Sequence, residues 1–81
     1  MNRRQLENSM GYNLSPRRRE ALRLMLGGAS IKGMRRTMAL SEGMIHNHRC
    51  AIYARLGVRS HAELLAKALD LALASAAKGK R

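Results

Sequence analysis

Residues 40–56 read LSEGMIHNHRCAIYARL, and this stretch decides the fold. Ser41 stands where an N-cap accepts a hydrogen bond from a free first-turn amide, and Gly57 follows the last periodic apolar residue as a stop. About four helical turns fit between them. Placing successive residues about 100° apart puts Ile45, Ile52 and Leu56 on one stripe for burial, with His48 and Arg49 on its margins. The opposite side carries Gly43, Asn47, Cys50 and Ala54, with His46 at its edge. That surface is low in profile and can approach another molecule closely. Asn47 and His46 are its hydrogen-bonding members. Asparagine can pair in bidentate fashion with the N6 and N7 edge of adenine, and a helix of this diameter fits the major groove of B-DNA. A solvated face of small residues would carry the same pattern, so the surroundings decide between the two.

At 81 residues the chain is sized for one domain, near the length at which a single core is only marginally stabilising, so self-association would help it. With two Tyr, no Phe, no Trp and six Met, the core is expected to be aliphatic. Sixteen Lys and Arg stand against five Asp and Glu, a formal net charge of +11, and a polyanion is the expected partner. The basic residues are spread along several segments and do not form one face of a single amphipathic helix, which favours nucleic acid over a membrane surface. The one cysteine, Cys50, excludes an internal disulfide and agrees with a reducing compartment. No apolar run reaches the roughly 18 residues of a transmembrane helix, and MNRRQLENSM lacks the apolar centre of a signal peptide. A cytoplasmic protein without a membrane partner is expected.

Outward from the opening stretch, residues 1–13 are polar, with Arg3 and Arg4 near the start and Gly11 interrupting a helix. They read as a flexible basic arm or a short, frayed helix. Ser15 and Pro16 then form a strong helix start, with Ser15 as N-cap and Pro16 at the first helical position. That first helix is expected to run to about Leu26, with Leu22, Met25 and Leu26 facing a core before Gly27-Gly28 ends it. Ser30 caps a second, two-turn helix to about Met38 whose apolar stripe is Ile31, Met34 and Met38. Residues 39–41 separate it from the helix at 42–56. Two helices joined by so short a turn, the second with a groove-sized outer face, have the sequence form of a helix-turn-helix. Beyond Gly57, Ser60 and Glu63 make a capping box for a fourth helix, and Ala and Leu dominate from Ala62 to Ala77. Leu64, Leu65, Leu69, Leu71 and Leu73 cannot all face one side of a helix, so some are expected to meet another chain. Residues 14–77 thus read as one all-α, four-helix domain, and 78–81 as a basic tail.

The strings LSPRRREALRLMLGGASIKGM and LSEGMIHNHRCAIYARLGVRSHAELLAKAL together resemble the DNA-binding domain of the LuxR type, also called the NarL or GerE type, over about Leu14 to Leu71. The most specific parts are Leu14-Ser15-Pro16-Arg17, Ser41-Glu42-Gly43, Asn47-His48 and the run from Ile52 to Ser60. The resemblance implies a transcription regulator whose second and third helices form the helix-turn-helix and whose fourth helix makes the dimer contact. It implies base contacts from His46, Asn47 and Cys50. Backbone contacts are expected from Arg17, Lys32, Arg35, Ser41, Glu42, Arg49, Arg55 and Arg59, and dimer contacts from Leu65, Leu69 and Leu73. Having no other domain, the chain resembles the stand-alone members.

Four positions depart from that family's pattern. Gly33 loosens the short second helix by roughly 1 kcal/mol relative to alanine. Arg35 replaces a small residue near the seam between helices two and three, so its stem must pack while its guanidinium escapes to solvent or phosphate. Ala39 stands where glycine is common, and costs about 1 kcal/mol if its backbone is left-handed. Met44 replaces a threonine that could touch phosphate. Two functions follow: direct, sequence-specific DNA binding as a homodimer, or a protein-binding regulator that pairs with another LuxR-type protein or with polymerase and silences it. The net charge favours the first. No enzyme activity, cofactor or metal is expected. His46 and Cys50 are only two ligands for a structural metal site, and short helices offer little cleft for a catalytic Cys-His pair.

Overall fold

The computed structural model describes residues 2–79, the side chains of residue 3 and of residues 76–79 excepted. Five helices follow in order: α1 (Arg3–Gly11), α2 (Pro16–Leu26), α3 (Ile31–Met38), α4 (Glu42–Leu56) and α5 (His61–Gly79). Among the described residues there is no strand, as expected of an all-α domain. Helices α2 to α5 are the four read from the sequence.

The starts of these four helices follow the serines. The Ser15, Ser30 and Ser41 hydroxyls accept from the amides of Arg18, Gly33 and Met44, at 3.3, 3.0 and 3.2 Å. Ser60 accepts from the Glu63 amide at 3.2 Å. Each bond satisfies one of the amides that a helix start leaves without a carbonyl partner. The expected capping box at Ser60 closes one residue early, because the Glu63 carboxylate accepts from the Arg59 amide at 3.2 Å.

Of the two readings of residues 1–13, a flexible arm or a short helix, α1 is the second, and the domain boundary drawn at Leu14 moves forward to include it. Asn2 caps it: its side-chain oxygen accepts from the Gln5 amide at 2.8 Å while its own amide donates to the Gln5 side chain at 2.9 Å. Met10 is buried and Leu6 packs against the core, and α1 lies against both α2 and α5. Gly11 does not interrupt the helix. It is the last residue of α1, set so close to α2 that an added Cβ would lie 3.2 Å from Leu22 Cδ2. Arg19 then ties the two elements together, its guanidinium donating to the carbonyls of Gly11 and Tyr12 at 3.3 and 3.4 Å. At the other end, residues 78 and 79 continue α5, while residues 80 and 81 of the expected basic tail lie outside the described residues.

Leu22, Met25, Met34, Met38, Ile45, Ile52 and Leu64 are the largest fully buried side chains, with Ala21 beside them. Leu26, Ile31 and Leu56, expected in the core, are half-buried at its edge. The absence of large aromatics therefore leaves a small aliphatic core in which methionine fills irregular gaps. Helix α4 packs on α2 and α3 through Ile45 and Ile52, and this contact holds it in place.

The turn between α3 and α4 carries a strained residue. Ala39 has φ 56° and ψ 44°, the left-handed conformation, and is the one non-glycine residue with positive φ among those described. The amides of both Ala39 and Leu40 return to the Arg35 carbonyl, so the turn is fixed by its hydrogen bonds despite the cost of the Cβ. A left-handed alanine costs about 1–2 kcal/mol, of which glycine gives back about 0.5–1 kcal/mol through the entropy of the unfolded chain. Ala39→Gly is therefore expected to stabilise the protein by about 0.5–1 kcal/mol, raising Tm by a few degrees for a domain of this size. Thermal melting followed by circular dichroism checks this, and a lowered Tm would contradict the left-handed turn.

Candidate nucleic-acid interface

With Ile45 and Ile52 turned inward, helix geometry leaves His46, Asn47 and Cys50 on the outer face of α4, and all three are exposed. Gly43 and Ala54 flank them, also exposed. A Cβ added at Gly43 would meet nothing nearer than the Ser41 hydroxyl at 4.0 Å, so this face is open. On it, Cys50 Sγ and His46 Nε2 lie 3.5 Å apart. The three residues expected to read bases are thus brought onto one accessible surface.

The residues expected at the DNA backbone fall into different situations. Lys32 and Arg35 are exposed on α3 and share a shallow depression of about 320 Å³ with Arg36 and Leu40. Arg36 was not singled out by the sequence reading. Its signal was its position: it lies one turn beyond Lys32, on the same side of α3. Arg55 and Arg59 are exposed at and after the end of α4. Arg49 is half-buried, donates to the Tyr53 hydroxyl at 3.0 Å and sits 5.7 Å from that ring's centre. Its guanidinium is therefore held along the flank of α4. The Ser41 hydroxyl is occupied as the cap of α4. Glu42, exposed in the first turn, complements the positive end of the helix dipole.

Arg17 has a scaffold task beside the backbone contact expected of it. Its guanidinium pairs with Glu20 at 3.0 Å and donates to the Met38 carbonyl. It thereby satisfies an end of α3 and joins α2 to the turn that launches α4. Its neighbour Arg18 is exposed and carries no such partner among the described residues. Both arginines bear on His48, which is half-buried on α4: burial first, then the charges of Arg18 and Arg17, push its imidazole below the ordinary histidine range. His48 is therefore neutral at pH 7 and packs as a scaffold residue.

On α5, Leu64 and Ala68 are buried, whereas Leu65, Leu69 and Leu73 are 43%, 58% and 59% exposed. Spaced four apart, these three form a single apolar stripe on the side away from the core. Lys67 donates to the Leu56 carbonyl at 2.9 Å, which anchors α5 to the end of α4.

Among the described residues no three His, Cys, Asp or Glu side chains come together as a metal site, and no helix is long and apolar enough to cross a membrane. No curated protein and no solved structure matches the chain. A family model does: the bacterial regulatory proteins of the luxR family match residues 12–68. That span opens just after α1 and closes inside α5, so it holds the whole helix-turn-helix but leaves Leu69 and Leu73 beyond it. With well over half of its length covered by that model, and with α3, the Ala39 turn and α4 in the arrangement just described, the chain belongs to the luxR family of bacterial regulatory proteins, a family of helix-turn-helix DNA-binding domains.

Proposed function

We propose that this protein is a sequence-specific transcriptional regulator that binds DNA as a homodimer, with α4 in the major groove. The observation that carries the reading is the outer face of α4. It is open and presents Asn47 and His46 to solvent, with Met44 exposed beside them, while Ile45 and Ile52 fix the helix from behind. Asn47 and His46 read base edges, with Cys50 beside them. Lys32, Arg35, Arg36, Arg55 and Arg59 supply phosphate contacts, with Arg49 positioned at the flank, and the Ser41-Glu42 start of α4 lies close to the backbone. Arg17 serves the protein scaffold before it serves DNA. Two copies joined along Leu65, Leu69 and Leu73 would present two α4 helices to successive major-groove faces, so the operator should be near-palindromic. Such a regulator works in the cytoplasm, at the nucleoid.

Selection of bound sequences from random duplexes tests this reading, and an enriched palindrome is the expected result. Asn47→Ala should then relax base preference at one position of each half-site, by about 1–3 kcal/mol. Equal loss of affinity for all sequences would make Asn47 a positioning residue. If no motif is enriched and one stoichiometric protein partner is recovered from the host, the fold acts on another regulator or on polymerase without reading DNA.

A further inference from the structure

Met44 is a large apolar residue of α4 that the core does not use. Met10, Met25, Met34 and Met38 are buried, where the thioether fills irregular gaps. Met44 is 46% exposed and does not belong to the core cluster. It is the third residue of α4, and its amide donates to the Ser41 hydroxyl at 3.2 Å, so its backbone is fixed at the helix start. A single exposed apolar residue is ordinary on a protein surface. This one is set apart by its place: it stands one turn before Asn47, as its neighbour on the helix surface, at the end of α4 whose side chains reach base edges when a helix-turn-helix docks.

We propose that Met44 is a specificity-determining residue that packs on the C5-methyl group of a thymine, so that each half-site carries a T·A pair close to the adenine read by Asn47. The inference rests on the DNA-reading role of α4 proposed above. Among the four bases, thymine alone presents a methyl group in the major groove. Methionine brings no hydrogen-bond donor and only a weak acceptor, and its flexible, polarisable chain adapts to a methyl surface. Set against a cytosine, the same side chain would cover the N4 amino group and displace its water without replacing the hydrogen bond, which costs affinity. Met44 therefore favours thymine twice, by contact and by exclusion. Residues 44 and 47 are about 4.5 Å apart along the helix axis. Against a base-pair rise of about 3.4 Å, this sets the thymine one or two steps from the adenine.

The test replaces each thymine of the selected half-site, one position at a time and in both half-sites, with deoxyuridine, which removes the methyl group and nothing else. At one position, one or two steps from the base whose preference Asn47→Ala relaxes, the parent should lose about three- to fivefold in affinity per half-site, the worth of one buried methyl, and about tenfold or more on the full operator. Met44→Ala should bind the thymine and deoxyuridine operators equally, whereas Met44→Leu should still discriminate. The salt dependence of Met44→Ala should match that of the parent, because no phosphate contact is lost. Parent affinity unchanged by deoxyuridine at every position, or a selected half-site without thymine in that span, overturns the assignment of Met44 while leaving α4 in the groove. So does a Met44→Ala variant that discriminates as well as the parent. Failure of the parent to retain any duplex removes the DNA-reading role itself, and the thymine contact with it.

Discussion

Between 50 and 200 mM salt, affinity for a specific duplex should fall by about 10³- to 10⁵-fold, the loss that accompanies about six to ten phosphate contacts. Each neutralised phosphate releases condensed counterions, and the entropy of that release shrinks as bulk salt rises. On the proposed reading, the contributing cations are those left unengaged around the helix-turn-helix. Lys32, Arg35 and Arg36 flank the helix-turn-helix on α3, and Arg55 and Arg59 follow α4, so two copies hold enough unengaged charge for a count in that range. Arg17 is excluded from the count because Glu20 and the Met38 carbonyl already occupy it. Two variants separate these roles. Arg36→Gln should lower the slope of log affinity against log salt by about one for each chain that makes the contact, without changing base preference. Arg17→Gln should act mainly on thermal stability, through the loss of its bond to the end of α3. Retention of no duplex even at low salt would end the DNA-binding reading, whatever the fold.

Which of these statements the bare sequence could supply follows from how far each interaction reaches along the chain. The starts of α2, α3, α4 and α5 were legible because an N-cap serine acts on an amide three residues away. The division of α4 into Ile45 and Ile52 inside, and His46, Asn47 and Cys50 outside, was equally legible, since helical rotation alone fixes it. Helix α1 was legible only as one of two readings, an arm or a short, frayed helix, for two reasons. Asn2 and Gln5 form a cap without any apolar run to draw attention to it, and Gly11 was taken as a breaker when its lack of a Cβ serves the approach to Leu22. The scaffold contact of Arg17 was not legible because its partner, the Met38 carbonyl, lies 21 residues away and is brought near only by the fold. The left-handed Ala39 could be anticipated as a condition but not decided, because alanine itself gives no sign of the backbone it occupies.

Replacing Leu69 by glutamate should convert the proposed dimer to monomers and, with it, abolish tight binding to a full operator. Leu69 is 58% exposed and sits between Leu65 and Leu73 on the outer side of α5, while Leu64 and Ala68 of the same helix supply its contact with the core. The substitution therefore leaves the fold intact. In the dimer, each Leu69 would bury the surface it now shows to water. Fully burying a leucine contributes about 1.5–3 kcal/mol, so burying a little over half of one contributes roughly 1–2 kcal/mol per chain. Glutamate forfeits that contribution from both chains and leaves two carboxylates facing an apolar seam, where an unpaired charge is costlier than the missing leucine. Dissociation should rise by at least about two orders of magnitude, since each 1.4 kcal/mol is a factor of ten. Monomers retain α4 unaltered but bind only half-sites, losing the effective concentration that a tethered second copy provides. Two measurements together are decisive: solution mass at micromolar protein, and affinity for a full operator against a half-operator. The expected variant is monomeric, helical and equal to the parent on the half-operator only. An unchanged mass would remove α5 from the dimer contact. A monomer that still binds the full operator as tightly as the parent would mean that DNA, and not the leucine stripe, brings the two copies together.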